Sequence, residues 1–304
     1  MKDRFSKPRM DEDQLRRRLE KVLLRMDKAT PSSRSFFMER IHANNFPDWV
    51  RSLNTLHNPD EIRNYLYFGF QPLYNALANN WIDAAARKDA VNGLNEIIKI
   101  SKRFLSQYYT GSRIPKLQKE DIASIGWHVS SLGVRAPYRL KQRNIDTMIH
   151  SEDVHGFLKG FLSAIIDRKI TSPEYVVGCA CGASEPAIAL ARILDVEVGF
   201  MRMSKRQNDD KPVILEEHRA IIGNLVRNRD VVCVEDVIAS GKSLAGIMSM
   251  SSEYAPNSLL GASVESSAMS LMRPFHKSDN LNLYRLDGTA HNSANTLSPS
   301  TTTL

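Results

Sequence analysis

The feature that most constrains the fold is an alternation of apolar strands and amphipathic helices in the second half of the chain. The predicted strands EYVVG, EVGFMRM and RDVVCVEDV are apolar on both faces, and the helical segments AIALARIL and SLAGIMSM follow the first and the third of them. LLGASVES and VILEEH are two further predicted strands. Strands of this kind that alternate with helices are typical of a parallel sheet covered on both sides. We therefore expect an α/β fold with a doubly wound parallel sheet.

The first half of the chain is predicted to be all-α. In DEDQLRRRLEKVLLRM, apolar residues recur at spacings of three and four, as on one face of a helix. Asn58 and Pro59 are a typical helix start, because the Asn side chain can cap the first turn and Pro fits there without losing a hydrogen bond. Helical spacing continues from Tyr65 to Tyr109, with a predicted break at Pro72.

The charge of the chain changes where the helical pattern ends. Residues 1–150 hold 26 Lys and Arg against 16 Asp and Glu, a net of +10, whereas residues 151–304 hold 15 against 18, a net of −3. Such a basic half is found in nucleic-acid-binding proteins, but a solvated helical surface has the same composition. The run Arg16-Arg17-Arg18 is open to both interpretations. We expect a basic helical domain over residues 1–148, an α/β domain over 149–275 and a disordered, Ser/Thr/Asn-rich tail over 276–304.

Several classes of protein are disfavoured by composition. No run approaches the roughly 20 apolar residues of a membrane span, and the first residues lack the apolar core of a secretory signal. Because the chain has only three cysteines, we expect no disulfide framework, and we expect a cytoplasmic location. Cys179, Cys181 and Cys233 could supply a thiolate cluster for zinc, but buried small hydrophobic residues are the simpler interpretation.

The stretch VVCVEDVIASGKSL carries the chemistry. Glu235 and Asp236 follow an apolar strand, and the carboxyl ends of parallel strands are where ligands bind in such sheets. Two adjacent acids need partners that offset their repulsion and lost hydration, and sugar hydroxyls or a magnesium ion would do so. The turn that follows opens a helix, whose N–H groups can hold a phosphate. The sequence ASGKS lacks the first glycine of a P-loop, since Asp236 occupies that position.

The same stretch resembles the phosphoribosyl pyrophosphate (PRPP) motif of type I phosphoribosyltransferases, and its wording is most similar to orotate phosphoribosyltransferase. The resemblance extends over roughly residues 150–265. It implies binding of PRPP or a nucleotide and Mg²⁺-dependent transfer, or glycosidic cleavage, at the anomeric carbon of a ribose phosphate. The acids would fix the ribose hydroxyls, and water as nucleophile would make the same site a hydrolase.

The resemblance also implies a set of site residues. Glu235, Asp236, Lys205 and Arg206 would be catalytic. The substrate would be bound by the turn after the acids, by the loop after the first strand and by one arginine: Ala239, Ser240, Gly241, Lys242, Ser243, Ala180, Cys181, Gly182, Ala183, Ser184 and Arg202. No protein residue is assigned as a metal ligand. Glu185, beside this set, could contact magnesium or a substrate amine, or only place a favourable charge at a helix start.

Three residues depart from the orotate pattern. Met203 stands where a lysine is expected, Ala239 where a threonine is common and Lys242 where a glycine is usual. Lys242 could add charge to phosphate binding or obstruct the loop. The rival hypothesis is therefore a non-catalytic regulator that senses PRPP or a nucleotide and binds RNA or DNA through its helical half.

The basic helical extension is unlike housekeeping orotate enzymes. Family members are attached to prokaryotic anti-phage systems, some beside retron reverse transcriptases, so the resemblance also implies an effector held by a nucleic-acid or protein partner. Assembly into a homo-oligomer is expected as well.

Overall fold

A computed structural model describes residues 10–29, 46–111, 115–130, 132, 150–180, 182–203, 209, 211–238, 240–266, 272–278 and 280–285. The helical part comprises α1 (Glu12–Met26), α2 (Phe46–Leu53), α3 (Pro59–Ala78), α4 (Ala84–Thr110) and α5 (Lys119–Val129). The α/β part comprises α6 (Ser151–Ile166), β1 (Tyr175–Ala180), α7 (Ser184–Leu194), β2 (Glu197–Arg202), α8 (Glu216–Val226), β3 (Asp230–Ile238), α9 (Lys242–Ser252), β4 (Ser258–Ser266), β5 (His276–Ser278) and β6 (Leu281–Tyr284). This order confirms the predicted α/β fold preceded by helices.

The sheet has the strand order β2-β1-β3-β4-β6-β5. Strands β1 to β4 pair in parallel, whereas β6 runs antiparallel to both β4 and β5. The chain moves outward from β1 to β2, then returns to place β3 on the other side of β1. The strand order therefore reverses between β1 and β3, which is where open α/β sheets form a crevice at their carboxyl ends.

The sheet extends past the predicted domain boundary. Residues 276–278 and 281–284 form an antiparallel hairpin on β4, so these seven residues of the predicted tail are strand rather than disordered. Leu281, Leu283 and Tyr284 are fully buried there. Burial of these apolar side chains favours pairing with β4, although the residues that follow are polar in composition. Residues 286–304 lie outside the described part of the chain.

Two other local predictions were wrong. Helix α3 continues through Pro72, because Phe70, Leu73 and Tyr74 are all buried around it and their packing outweighs the lost backbone hydrogen bond. The segment VILEEH is not a strand: only Val213 pairs, with Arg202, and α8 begins three residues later. The helix start at Asn58 is confirmed, since its Oδ1 accepts from the backbone N–H of Asp60 at 2.9 Å.

The helical part and the sheet share one apolar core. Phe70 of α3 packs on Phe200 of β2 with ring centroids 4.8 Å apart. The Tyr74 hydroxyl donates to the Phe200 carbonyl at 2.9 Å. Helix α4 also packs against α7, whose residues from Ser184 to Ala191 are all buried. Within the described residues, no helix is long and apolar enough to span a bilayer.

Candidate active site

The two acids lie at the carboxyl end of β3, beside the end of β1. Glu235 is the sixth residue of β3 and pairs with Ser263 of β4, whereas β1 ends at Ala180 before the loop that leads to α7. Both ends border the point where strand order reverses. The sequence therefore places the two motifs at one edge of the sheet, in the crevice where α/β proteins bind ligands.

Glu235 is a buried carboxyl group. Its side chain is 7% exposed, and its Oε1 accepts from the backbone N–H of Asp236 at 3.1 Å. Burial, and then the neighbouring charge of Asp236, raise the pKa of Glu235 well above its usual value. Burial, and then the nearby charge of Glu235, also raise the pKa of the Cys179 thiol on β1. Glu235 thus keeps its proton to a higher pH than a free carboxyl group does, until hydroxyl donors or cations reach it.

Asp236 lies against the loop after β1. It is half-buried, and its Oδ1 accepts from the backbone N–H of Val237 at 2.8 Å. A Cβ added at Gly182 would lie 2.5 Å from the Asp236 carboxylate carbon and 2.6 Å from Oδ1, closer than any real contact. Only glycine allows this approach. The loop and the acids, predicted from separate motifs, are in direct contact.

The loop after β1 is otherwise packed into the protein. Ala180, Ala183 and Ser184 are buried, and the backbone N–H of Ala183 donates to the Cys179 carbonyl at 3.0 Å. Gly182 retains partial exposure toward the crevice. Cys181 lies outside the described residues.

The turn after β3 opens helix α9. Gly241 has φ of 81°, in the left-handed region that favours glycine, and it caps α9. The backbone N–H of Lys242 contacts Ser240 Oγ at 3.4 Å, and the Lys242 side chain is exposed, so it does not fill the crevice. Ser243 is half-buried in the first turn. The backbone N–H groups of this turn are suited to a phosphate. Ala239 lies outside the described residues.

Arg202 is committed to protein partners. It is 2% exposed, and its guanidinium donates to both carboxylate oxygens of Asp209 at 2.9 Å, to Asn75 Oδ1 at 3.2 Å and to Asn79 Oδ1 at 2.9 Å. Its backbone pairs with Val213 through two hydrogen bonds. The predicted contact of Arg202 with pyrophosphate is therefore replaced by a structural role. Lys205 and Arg206 lie outside the described residues.

Met203 has an apolar environment. A Cβ at Gly246 of α9 would lie 3.1 Å from Met203 Cε, which shows that the thioether packs directly on this helix. The side chain therefore fills a gap beside α9 and supplies no charge to the crevice.

Glu185, in the first turn of α7, is held by the helical part. The guanidinium of Arg63 on α3 and the hydroxyl of Tyr109 on α4 both donate to Glu185 Oε1. All three side chains are buried. Burial alone would lower the pKa of Arg63, but the Glu185 carboxylate together with Tyr109 and Tyr108 raises it overall, so the guanidinium stays charged. Removal of one partner from such a pair typically costs about 3–5 kcal/mol. These contacts favour a structural role for Glu185 at the helix start over contact with magnesium or a substrate amine.

Arg63 and Tyr109 were not predicted from the sequence. Their one sequence signal is that Arg63 interrupts an otherwise apolar helix face beside Ile62 and Leu66. The described residues contain no group of three or more His, Cys, Asp or Glu side chains placed to hold a metal. Two carboxylates alone are a sufficient protein contribution when magnesium arrives on substrate phosphates.

Two comparisons with known proteins match part of the chain. No curated protein sequence matches the chain. A purine phosphoribosyltransferase from Pyrococcus horikoshii Ot3, known by crystal structure, is 18% identical over 42% of this chain and 82% of its own, with a TM-score of 0.34. The family model described as phosphoribosyl transferase domain matches residues 155–262, which include β1, β2, β3, the acid pair and the turn after it. Residues 155–262 of the α/β part are therefore similar to the type I phosphoribosyltransferase family.

Proposed function

We propose that this protein is a phosphoribosyltransferase-like enzyme that binds PRPP or a nucleotide and acts at the anomeric carbon of the ribose. The observation that carries the proposal is the contact between the Asp236 carboxylate and the Gly182 loop at the strand-order reversal. It brings a pair of acids, a backbone loop and a helix N-terminus to one crevice. These are the groups needed for a diol, a pyrophosphate and a terminal phosphate.

The ribose hydroxyls would donate hydrogen bonds to Glu235 and Asp236. Glu235 is buried and carries a raised pKa, so it gains most from a new donor that stabilises its charged form. Asp236, which is half-buried, would reach the hydroxyl nearer to solvent. The backbone N–H groups from Ser240 to Ser243 would bind the 5′-phosphate, and the exposed Lys242 would add a positive charge there.

Magnesium would enter as the complex with the pyrophosphate group of the substrate. A nucleophile attacks the anomeric carbon while the bond to the pyrophosphate oxygen breaks, and the bonding electrons leave with the pyrophosphate. The chain's own contribution is to hold the sugar over the two acids and the leaving group over the Gly182 loop, which aligns attack and departure. Water as nucleophile gives ribose 5-phosphate, and a nitrogen base gives a nucleotide.

The test is incubation with PRPP, magnesium and a panel of bases and nucleotides, followed by mass spectrometry. Asp236→Asn should abolish turnover, because the neutral amide cannot stabilise positive charge that develops on the sugar. Asp167→Asn is the matched control, since Asp167 is exposed and follows α6, away from the acid pair. Turnover by Asp236→Asn equal to that of the wild type would contradict the proposal.

A second candidate is a regulator that senses the ligand without turnover and binds RNA or DNA. A basic stripe on α1 favours it: Gln14, Arg17, Arg18, Lys21 and Arg25 line one open depression of about 330 Å³. Arg17, Lys21 and Arg25 are exposed, whereas Arg18 donates to the Ile193 carbonyl at 2.7 Å and anchors α1 to α7. Four cations without an acid in the lining match the charge of a phosphate backbone.

Salt dependence separates the two candidates. A nucleic acid bound through this stripe loses affinity as salt rises, and replacing Arg17, Lys21 and Arg25 by Ala should lower the logarithmic slope by about three. Replacing Lys99 and Lys169, which also carry exposed charges, by Ala is the matched control. An affinity that does not change with salt, or equal slopes for wild type and the triple variant, would contradict nucleic-acid binding through this stripe. Saturable PRPP binding without any product would favour the regulator over the enzyme.

We also propose an effector role in a prokaryotic defence system, with the helical part as the surface for a restraining partner. Its support is the basic helical extension, which is unlike housekeeping orotate enzymes, together with the occurrence of family members in such systems. Expression without a partner should then harm the host cell, and Asp236→Asn should relieve the harm. Equal toxicity of both proteins would contradict this role. Homo-oligomer assembly stays a prediction, which sedimentation of the purified chain will test.

A further inference from the structure

The start of α7 carries a charge that opposes the proposed ligand. The N–H groups at a helix start and the helix dipole attract anions, and a carboxylate in the first turn competes with any anion that binds there. Glu185 is the second residue of α7 and lies three positions after Gly182. If the loop from 180 to 184 receives pyrophosphate, an uncompensated Glu185 would repel it.

Arg63 supplies the missing positive charge. It comes from α3, reaches across the boundary between the helical part and the sheet, and donates to the Glu185 carboxylate. Tyr109 from α4 donates to the same oxygen without adding charge. The exposed fractions of Arg63 and Glu185 are both 7%, so water screens neither charge and the pair acts as a neutral unit.

We propose that Arg63 is a positioning residue that neutralises Glu185 and so makes the loop between β1 and α7 receptive to pyrophosphate. This inference rests on the proposed function. It assigns a part of the reaction to the helical half: a residue more than 100 positions before the loop sets the charge behind it.

Stability alone does not explain this arrangement. Replacing a buried ion pair by neutral residues of similar volume is often tolerated, whereas leaving one buried charge alone is not. The double replacement is therefore the informative one. Arg63→Met removes the positive charge and leaves Glu185 unneutralised, whereas Arg63→Met with Glu185→Gln removes both charges and keeps an acceptor for Tyr109.

The experiment compares wild type, Arg63→Met, Glu185→Gln and the double variant by calorimetry with inorganic pyrophosphate plus magnesium, and separately with ribose 5-phosphate. Arg63→Met should bind pyrophosphate about tenfold more weakly, because an unscreened negative charge remains behind the loop. The double variant should recover wild-type affinity within about twofold, because no net charge remains behind the loop. Affinity for ribose 5-phosphate should stay the same in all four proteins.

Lys102→Met is the matched control. Lys102 also joins the helical part to the sheet, because its ammonium group contacts Glu197 at 2.8 Å. Glu197, however, lies at the amino end of β2, whereas the candidate site lies at the carboxyl ends of the strands. This variant should bind pyrophosphate as the wild type does. A double variant as weak as Arg63→Met, or an Arg63→Met variant with unchanged affinity, would overturn the proposal.

Amide exchange without ligand gives a readout that does not depend on PRPP. In Arg63→Met, the amides of residues 182–185 should exchange several-fold faster, since the buried charge opens toward water, and the double variant should restore protection. If wild type binds neither ligand, the proposed function and the receptivity to pyrophosphate both fail, while the exchange result still decides whether Arg63 neutralises Glu185 behind the loop. Unchanged exchange in Arg63→Met would then refute it.

Discussion

Replacing Gly182 by Ala tests the geometry of the candidate site directly. The new Cβ would lie 2.5 Å from Asp236 Cγ and 2.6 Å from Oδ1, whereas ordinary contacts begin at 3.4 Å. Asp236 Oδ2 would lie closer still, so the carboxylate and the loop must separate by more than 0.9 Å. No left-handed backbone conformation is involved, so the effect comes from this contact alone. A displacement of about 1 Å in a positioned group can lower a rate by about 100-fold.

The assay measures turnover of PRPP, or its affinity if no product forms, together with thermal unfolding. We expect Gly182→Ala to lower turnover by about 100-fold, because the sugar and the leaving group are held by the two elements that separate. Gly126→Ala is the matched control: its Cβ would lie 3.2 Å from a methyl group of Val50, and alanine in a helix stabilises by about 0.5–1 kcal/mol. Wild-type turnover by Gly182→Ala would refute the assignment of this contact to the site.

Three further predictions concern stability. The raised pKa of Glu235 means that the folded protein keeps a proton that the unfolded chain loses above about pH 4.5, so wild-type stability falls as pH rises beyond that value. The melting temperature of Glu235→Gln should therefore rise relative to that of wild type from pH 5 to pH 8. A constant difference between the two melting temperatures over this range would contradict the prediction. Trp49 is fully buried and its Nε1 donates to the Tyr65 carbonyl at 2.9 Å, so Trp49→Phe should cost about 2–4 kcal/mol in urea unfolding, against no measurable change for the exposed Trp127→Phe. Leu283→Ala should cost about 2–5 kcal/mol if the hairpin is part of the core, and a cost below 0.5 kcal/mol would return these residues to a tail.

The elements that form from local pattern were predictable. Strands β1, β2 and β3 are short apolar runs between polar turns, and α1 and α3 begin with acids or a capping side chain, so each is specified by its own residues. The meeting of Asp236 with the Gly182 loop was predictable from topology, because parallel strands end at one edge of a sheet. The two motifs also follow one another along the chain in the order that the resembling family has.

The partners of buried charges were not predictable. Arg202 and Arg63 look alike in sequence, but each is neutralised by residues that only tertiary packing brings near it: Asp209 with two asparagines for Arg202, and Glu185 for Arg63. Local pattern also gave the wrong state for Pro72 and for the segment after Val213. In both places, contacts with distant residues outweigh the propensity of the chain itself.

The packing of Phe70 and Tyr74 on Phe200 has a practical consequence for anyone who expresses this protein. A gene fragment that starts at residue 150 would encode the sheet without the helices that cover β2, and it would leave Arg202 without its two amide acceptors. Assays on such a fragment would report on a damaged fold. The intact chain, in contrast, should melt in a single cooperative transition, since the buried apolar residues of both halves form one continuous cluster.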